Sequence, residues 1–154
     1  MKGSLAGEVT REEVLQATDY VFPSLEILDT RIFRKDENTG KMRTVFDTIS
    51  DNAANAGVIS GVQKNDPQKF DLRRVGSIVM RNNEVEETGL GAGVLNDPIT
   101  GIIWLVKRLS EYNQKISPGE IILSGSFIRP IEARKGDEFY ADFGDFGFVE
   151  CKFN

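Results

Sequence analysis

The alternation of apolar and polar positions changes period several times along the chain, and each change predicts a short element. Val14, Leu15 and Ala17 give an apolar side to a first helix, and Thr10 with Glu13 has the capping-box form at its start. The run Ser24-Leu25-Glu26-Ile27-Leu28-Asp29-Thr30-Arg31-Ile32-Phe33 is rich in strand formers and predicts a largely buried strand. Residues 34–43 are charged and contain Asn38-Thr39-Gly40, which predicts an exposed loop. Asp47 through Ala56 predicts a short helix, followed by a strand over Val58–Val62. Leu72–Arg81 and Glu84–Gly89 predict two strands joined at Asn82-Asn83, residues that tolerate positive φ in tight hairpins. The strongest helical signal begins at Asn96-Asp97-Pro98, a polar cap followed by proline in the first turn. It continues through Ile102, Ile103, Leu105, Val106 and Leu109 at helical spacing. Beyond Ser117-Pro118-Gly119, Ile121–Leu123 predicts another strand, and Phe139–Phe143 with Phe148–Phe153 a closing hairpin around Gly144–Gly147. No repeat or linker interrupts residues 1–154, so the pattern predicts a single β-rich α+β domain with a few short helices.

Composition narrows the chemistry more than the fold. Histidine is absent, which removes Ser-His and Cys-His nucleophilic sites and histidine-ligated zinc. A metal would have to be held by carboxylates, carbonyls and water, which selects a hard cation such as Mg²⁺ or Mn²⁺. The single cysteine, Cys151, excludes a disulfide framework and fits a reducing, cytoplasmic setting. The net charge is −5 and the basic residues are scattered, which argues against nucleic acid as a partner. The apolar runs are too short to span a bilayer, and the N-terminus has no signal-peptide apolar core. A cytoplasmic protein with neither membrane nor nucleic-acid partner is therefore expected.

Three constellations could carry chemistry. Glu26 and Asp29 sit among apolar residues, yet three positions apart on a strand they lean to opposite faces and do not chelate by spacing. A buried carboxylate needs a cation or several donors to stay charged, and the plainest partner for Glu26 is an arginine such as Arg31. The run Asp47 to Gly57 is dense in short polar and small residues, which suits either a capped helix with a polar face or close approach to a ligand. Ser124-Gly125-Ser126, directly after Ile121-Ile122-Leu123, could present backbone N–H groups to an anion, with Arg129 available for a carboxylate; a plain strand-to-loop turn fits equally.

Taken in order, these segments resemble a known family. Phe22-Pro23-Ser24-Leu25-Glu26-Ile27-Leu28-Asp29-Thr30-Arg31, Asp47-Thr48-Ile49-Ser50-Asp51-Asn52-Ala53, and Gly89 through Asp97-Pro98 with Trp104-Leu105 are similar to the hydratase/decarboxylase branch of the fumarylacetoacetate-hydrolase-like family. The string Gly125-Ser126-Phe127-Ile128-Arg129-Pro130, with Lys135-Gly136-Asp137 after it, resembles the decarboxylase side most. The resemblance implies a mixed β-sheet roll of the family's C-terminal-domain type and a divalent metal, Mg²⁺ or Mn²⁺, acting on a small 2-oxo acid. It implies decarboxylation of 4-oxalocrotonate (2-oxohex-3-enedioate) to 2-hydroxypenta-2,4-dienoate in meta-cleavage aromatic catabolism. Hydration of 2-oxopent-4-enoate, or a non-catalytic chain that binds a full-length partner, are its alternatives. It also implies association with the hydratase that uses the product; strand edges left unpaired without the upstream residues add the expectation of a homo-oligomer.

Carried over by position, the resemblance makes Glu26 a metal ligand, which replaces the arginine pairing suggested by the residues alone. It places Asp51 and Asn52 in the pocket lining and Ser124, Gly125 and Ser126 at the strand end facing the substrate, with Arg129 beside them. The family's other two metal carboxylates, a Glu-x-Glu motif, and its catalytic lysine fall upstream of residue 1, so no catalytic residue is assigned here. Ala54 and Asn55 stand where relatives often carry serines, and residues 34–43 make a longer, more charged loop than usual. The 154 residues are thus expected to be the C-terminal part of a longer fold, and weak in catalysis without the remainder.

Overall fold

A computed structural model describes residues 1–154. Three α-helices and six strands are joined by 3-10 turns and extended segments. The first helix, α1 (Arg11–Ala17), begins as the sequence predicts: the Thr10 side chain accepts from the Glu13 N–H, and the Glu13 carboxylate accepts from the Thr10 N–H. The apolar side of α1 is buried at Val14 and Ala17 against the longest helix, α3 (Pro98–Ser110). Asp97 caps α3 by accepting from the Ile99 N–H, and Pro98 occupies its first turn. Ile99, Ile102 and Val106 are its buried stripe, and with Leu5, Val14, Ile116 and Phe146 they form the larger of two apolar cores.

The second core belongs to a four-stranded antiparallel sheet in the order β4-β3-β5-β6. Its strands are β3 (Gly76–Arg81), β4 (Glu84–Leu90), β5 (Glu138–Asp142) and β6 (Phe148–Lys152). Asn82 and Asn83, both at positive φ, join β3 to β4 as their residue types predict. Val79, Phe139, Ala141 and Val149 are the buried centre of this sheet. Leu25 and Ile59 pack onto the same centre from a separate antiparallel pair, β1 (Ser24–Leu28) and β2 (Asn55–Ser60). The expected α+β, β-rich class is the one adopted, and no helix is long and apolar enough to cross a membrane.

Five elements differ from the sequence reading. β2 spans Asn55–Ser60, ahead of the expected Val58–Val62, because its ladder with β1 begins at Asn55. β1 stops at Leu28 instead of reaching Phe33, because the register shifts between Ile27 and Leu28 and Thr30 folds the chain back through Ile32. The helix α2 spans Val45–Ser50, earlier than Asp47–Ala56, because Thr44 caps it with Asp47 as the reciprocal acid. Leu72–Arg74 is a 3-10 turn capped by Asp71 and not the start of β3. Ile121–Leu123 is not a strand: the segment has no ladder partner.

Candidate active site

The site is built on the open face of β1 and β2. Cross-strand pairing sets Leu25 opposite Ile59 and Glu26 opposite Val58. Since side chains alternate between faces, Leu25 and Ile59 turn toward the sheet core while Glu26, Val58 and Ser60 turn outward. Glu26 is therefore exposed, a correction to the buried strand that its apolar neighbours suggested. Beside this face lies a cavity of about 500 Å³ whose polar lining is Glu26, Asn52, Asn55 and Ser60. Val58 adds an apolar contact, and Ile121 and Leu123 add two more from the unpaired segment.

Asn55, the first residue of β2, donates its side-chain amide to one Glu26 oxygen at 2.7 Å. Asn52 reaches the same cavity from a turn in which Asn52, Ala53 and Ala54 all have positive φ. Asp51, just before that turn, lies behind the cavity. Its side chain is 2% exposed and accepts from the Arg31 guanidinium at 2.6 Å, from the Arg31 N–H and from the Thr30 hydroxyl. Arg31 thus pairs with Asp51, and the arginine pairing first suggested for Glu26 does not form.

The remaining residues singled out by the sequence fall outside the cavity. Leu123 lines it, but Ser124, Gly125 and Ser126 do not. The Ser126 hydroxyl bonds locally to Ile128, and Gly125 bends the chain at φ +108, where a Cβ would crowd the Val94 side chain. Arg129 is engaged by Glu87 of β4, its guanidinium Nε donating at 2.8 Å, with a side chain that is otherwise open to solvent. Of the seven expected residues, the structure brings Glu26 and Asn52 together. Asn55 is the cavity neighbour of Glu26 that pattern reading passed over; its only signal was its departure from the serine usual at that position. Val58, Ser60, Ile121 and Leu123 carried no chemical signal at all.

The donor set is too sparse for a divalent cation. Glu26 is the sole carboxylate in the cavity lining, and nowhere do three or more acidic, cysteine or histidine groups converge. Mg²⁺ and Mn²⁺ are bound through several oxygens in near-octahedral geometry, so these residues do not make such a site by themselves.

Among known proteins, the chain is 50% identical over 92% of its length to a 2-oxo-hept-4-ene-1,7-dioate hydratase of Escherichia coli. It is 35% identical over 94% of its length to a 2-keto-4-pentenoate hydratase of Paraburkholderia xenovorans. Its homologues are hydratases and decarboxylases. The 4-oxalocrotonate decarboxylase of Pseudomonas putida G7, complexed with magnesium and adipate, superposes with a TM-score of 0.89 over 99% of this chain at 29% identity. The same decarboxylase complexed with calcium and acetate gives a TM-score of 0.88. The chain spans about half of each relative: 53% and 51% of the two hydratases and 56% of the decarboxylase. No protein-family model matches it.

Proposed function

We propose that the cavity receives the 2-oxo-carboxylate end of an unsaturated 2-oxo acid, and that the reaction served is hydration. The observation that carries this reading is Glu26, oriented by Asn55, at a cavity whose remaining lining is largely apolar. The Asn52 and Asn55 amides offer neutral donors for a carboxylate, and Val58, Ile121 and Leu123 offer contact for an unsaturated carbon chain. The 50% identity to a hydratase favours water addition, against 29% to the decarboxylase. Decarboxylation of 4-oxalocrotonate is the second reading, favoured by the backbone match to that enzyme and by the Gly125–Pro130 string.

In this proposal the 154 residues act as the C-terminal part of a longer catalytic fold, and Glu26 is one anchor for a divalent cation. Such an ion supplies charge stabilisation at a 2-oxo-carboxylate. Its other oxygens would come from outside this cavity lining. Within the chain itself, Asn55 orients Glu26 through its side-chain amide, and Val58, Ile121 and Leu123 offer apolar surface to the carbon chain of the substrate.

The test is product analysis with unsaturated 2-oxo diacids and Mg²⁺, on the chain alone and on the chain mixed with a polypeptide supplying the remaining length of its relatives. Water addition without CO₂ supports hydration, and CO₂ release supports decarboxylation. Either activity is expected in the mixture and is expected to disappear in Glu26→Gln. Turnover that survives Glu26→Gln would overturn the assignment of the site, and no turnover in the mixture would leave the chain as a non-catalytic binding partner.

A further inference from the structure

The residues between Asp51 and Asn55 adopt a conformation that their own chemistry does not favour. Asn52, Ala53 and Ala54 have φ values of 51, 53 and 64° in succession. Asparagine tolerates the left-handed region, but alanine pays a clash between its Cβ and the backbone there, and two alanines follow one another. Something outside the turn must hold it.

One side chain touches both of its ends. Arg31 Nη2 donates to the Asp51 carbonyl at 2.6 Å, and Nη1 and Nη2 donate to the Asn55 carbonyl at 3.2 and 3.3 Å. Arg31 Nε and its backbone N–H are meanwhile fixed by the Asp51 carboxylate at 2.6 and 3.1 Å, and the Thr30 hydroxyl donates to the same carboxylate. Asp51 is thus nearly sealed while Arg31 remains half exposed. A planar guanidinium with several donors can span two carbonyls and a carboxylate at once; a single ammonium cannot. Beyond the turn, the Asn55 side chain points its amide at Glu26.

We propose that Arg31 and Asp51 are positioning residues: their clamp holds the left-handed Asn52–Ala54 turn and so aims Asn55 at Glu26. The inference rests on the reading of this cavity as an acid-binding site, but its test needs no turnover. In the full 154-residue chain, the Asn55 side-chain amide resonances report the Glu26 contact as the displacement caused by Glu26→Gln. That displacement is expected to shrink in Arg31→Lys and to vanish in Arg31→Gln, with the backbone amide pattern of β3–β6 unchanged. Ala53→Gly, which admits positive φ freely, is expected to restore it in the Arg31→Lys background. A displacement of full size in Arg31→Gln, or no recovery with Ala53→Gly, would overturn the proposal. Loss of the β3–β6 pattern in both Arg31 variants would overturn it as well, because Arg31 would then serve the whole fold. Failure of the catalytic reading alone would leave this spectroscopic outcome standing.

Discussion

Two opposing influences meet at Asp51. Burial pushes its carboxyl up, while hydrogen bonds from the Arg31 and Thr30 side chains, the Arg31 N–H and the guanidinium charge more than offset this and hold it below the ordinary 3.8. A carboxylate depressed on folding adds stability above its unfolded value and loses it as pH falls through the lower folded value. Asp51→Asn should therefore lower stability most near neutral pH. The gap to the wild type should close below pH 3.8, as the wild-type carboxyl itself takes up a proton. Urea denaturation of both proteins at neutral pH and in acid measures this directly; a constant gap would mean that the ionised form of Asp51 contributes nothing. The resemblance placed Asp51 and Asn52 together in the pocket lining. It could not separate them, since only the fold turns one toward Arg31 and the other toward the cavity.

Among the elements, those specified by neighbouring residues were legible and those specified at a distance were not. The Thr10–Glu13 box and the Asp97-Pro98 start each lie within one helical turn, so α1 and α3 could be read from sequence. The Thr44–Asp47 box is the same device with the shorter aspartate as its acid, and it escaped notice because glutamate or glutamine is the usual residue. Ile121-Ile122-Leu123 has strand composition, but a strand also needs a partner, and pairing is not written in the segment itself. The left-handed Ala53 and Ala54 were invisible because alanine carries no positive-φ signature. The local devices make a quantitative expectation possible. Thr10→Ala removes the cap over Val14, which is fully buried against α3, and should cost about 1 kcal/mol. The cost should appear as a lower urea midpoint with an unchanged slope. A changed slope would show that α1 had detached from the core rather than lost a cap.

Across the whole molecule, charge and apolar surface are distributed in a way that bears on the metal. The chain carries 24 acidic residues against 19 basic ones, yet the cavity holds a single carboxylate, and many of the others serve in caps, turns and surface ion pairs. Apolar residues meanwhile stand exposed on the excursion between β1 and β2, at Phe33, Met42, Val45, Phe46 and Ile49, and α2 buries none of its residues. A hard divalent cation takes most of its binding energy from the number of charged oxygens gathered around it. Glu26 alone, with one oxygen already accepting from Asn55, supplies too few. Calorimetric titration of the 154-residue chain with Mg²⁺ or Mn²⁺ should accordingly show binding weaker than about 1 mM, the weak end of the range for oxygen-ligated calcium sites, and Glu26→Gln should leave it unaltered. Tight binding that depends on Glu26 and rises with protein concentration would mean that a second copy brings its carboxylates to the cavity. Tight binding independent of concentration would mean that acidic residues of the same chain move into it, and the arrangement of Glu26 and Asn55 would then be only one of two states.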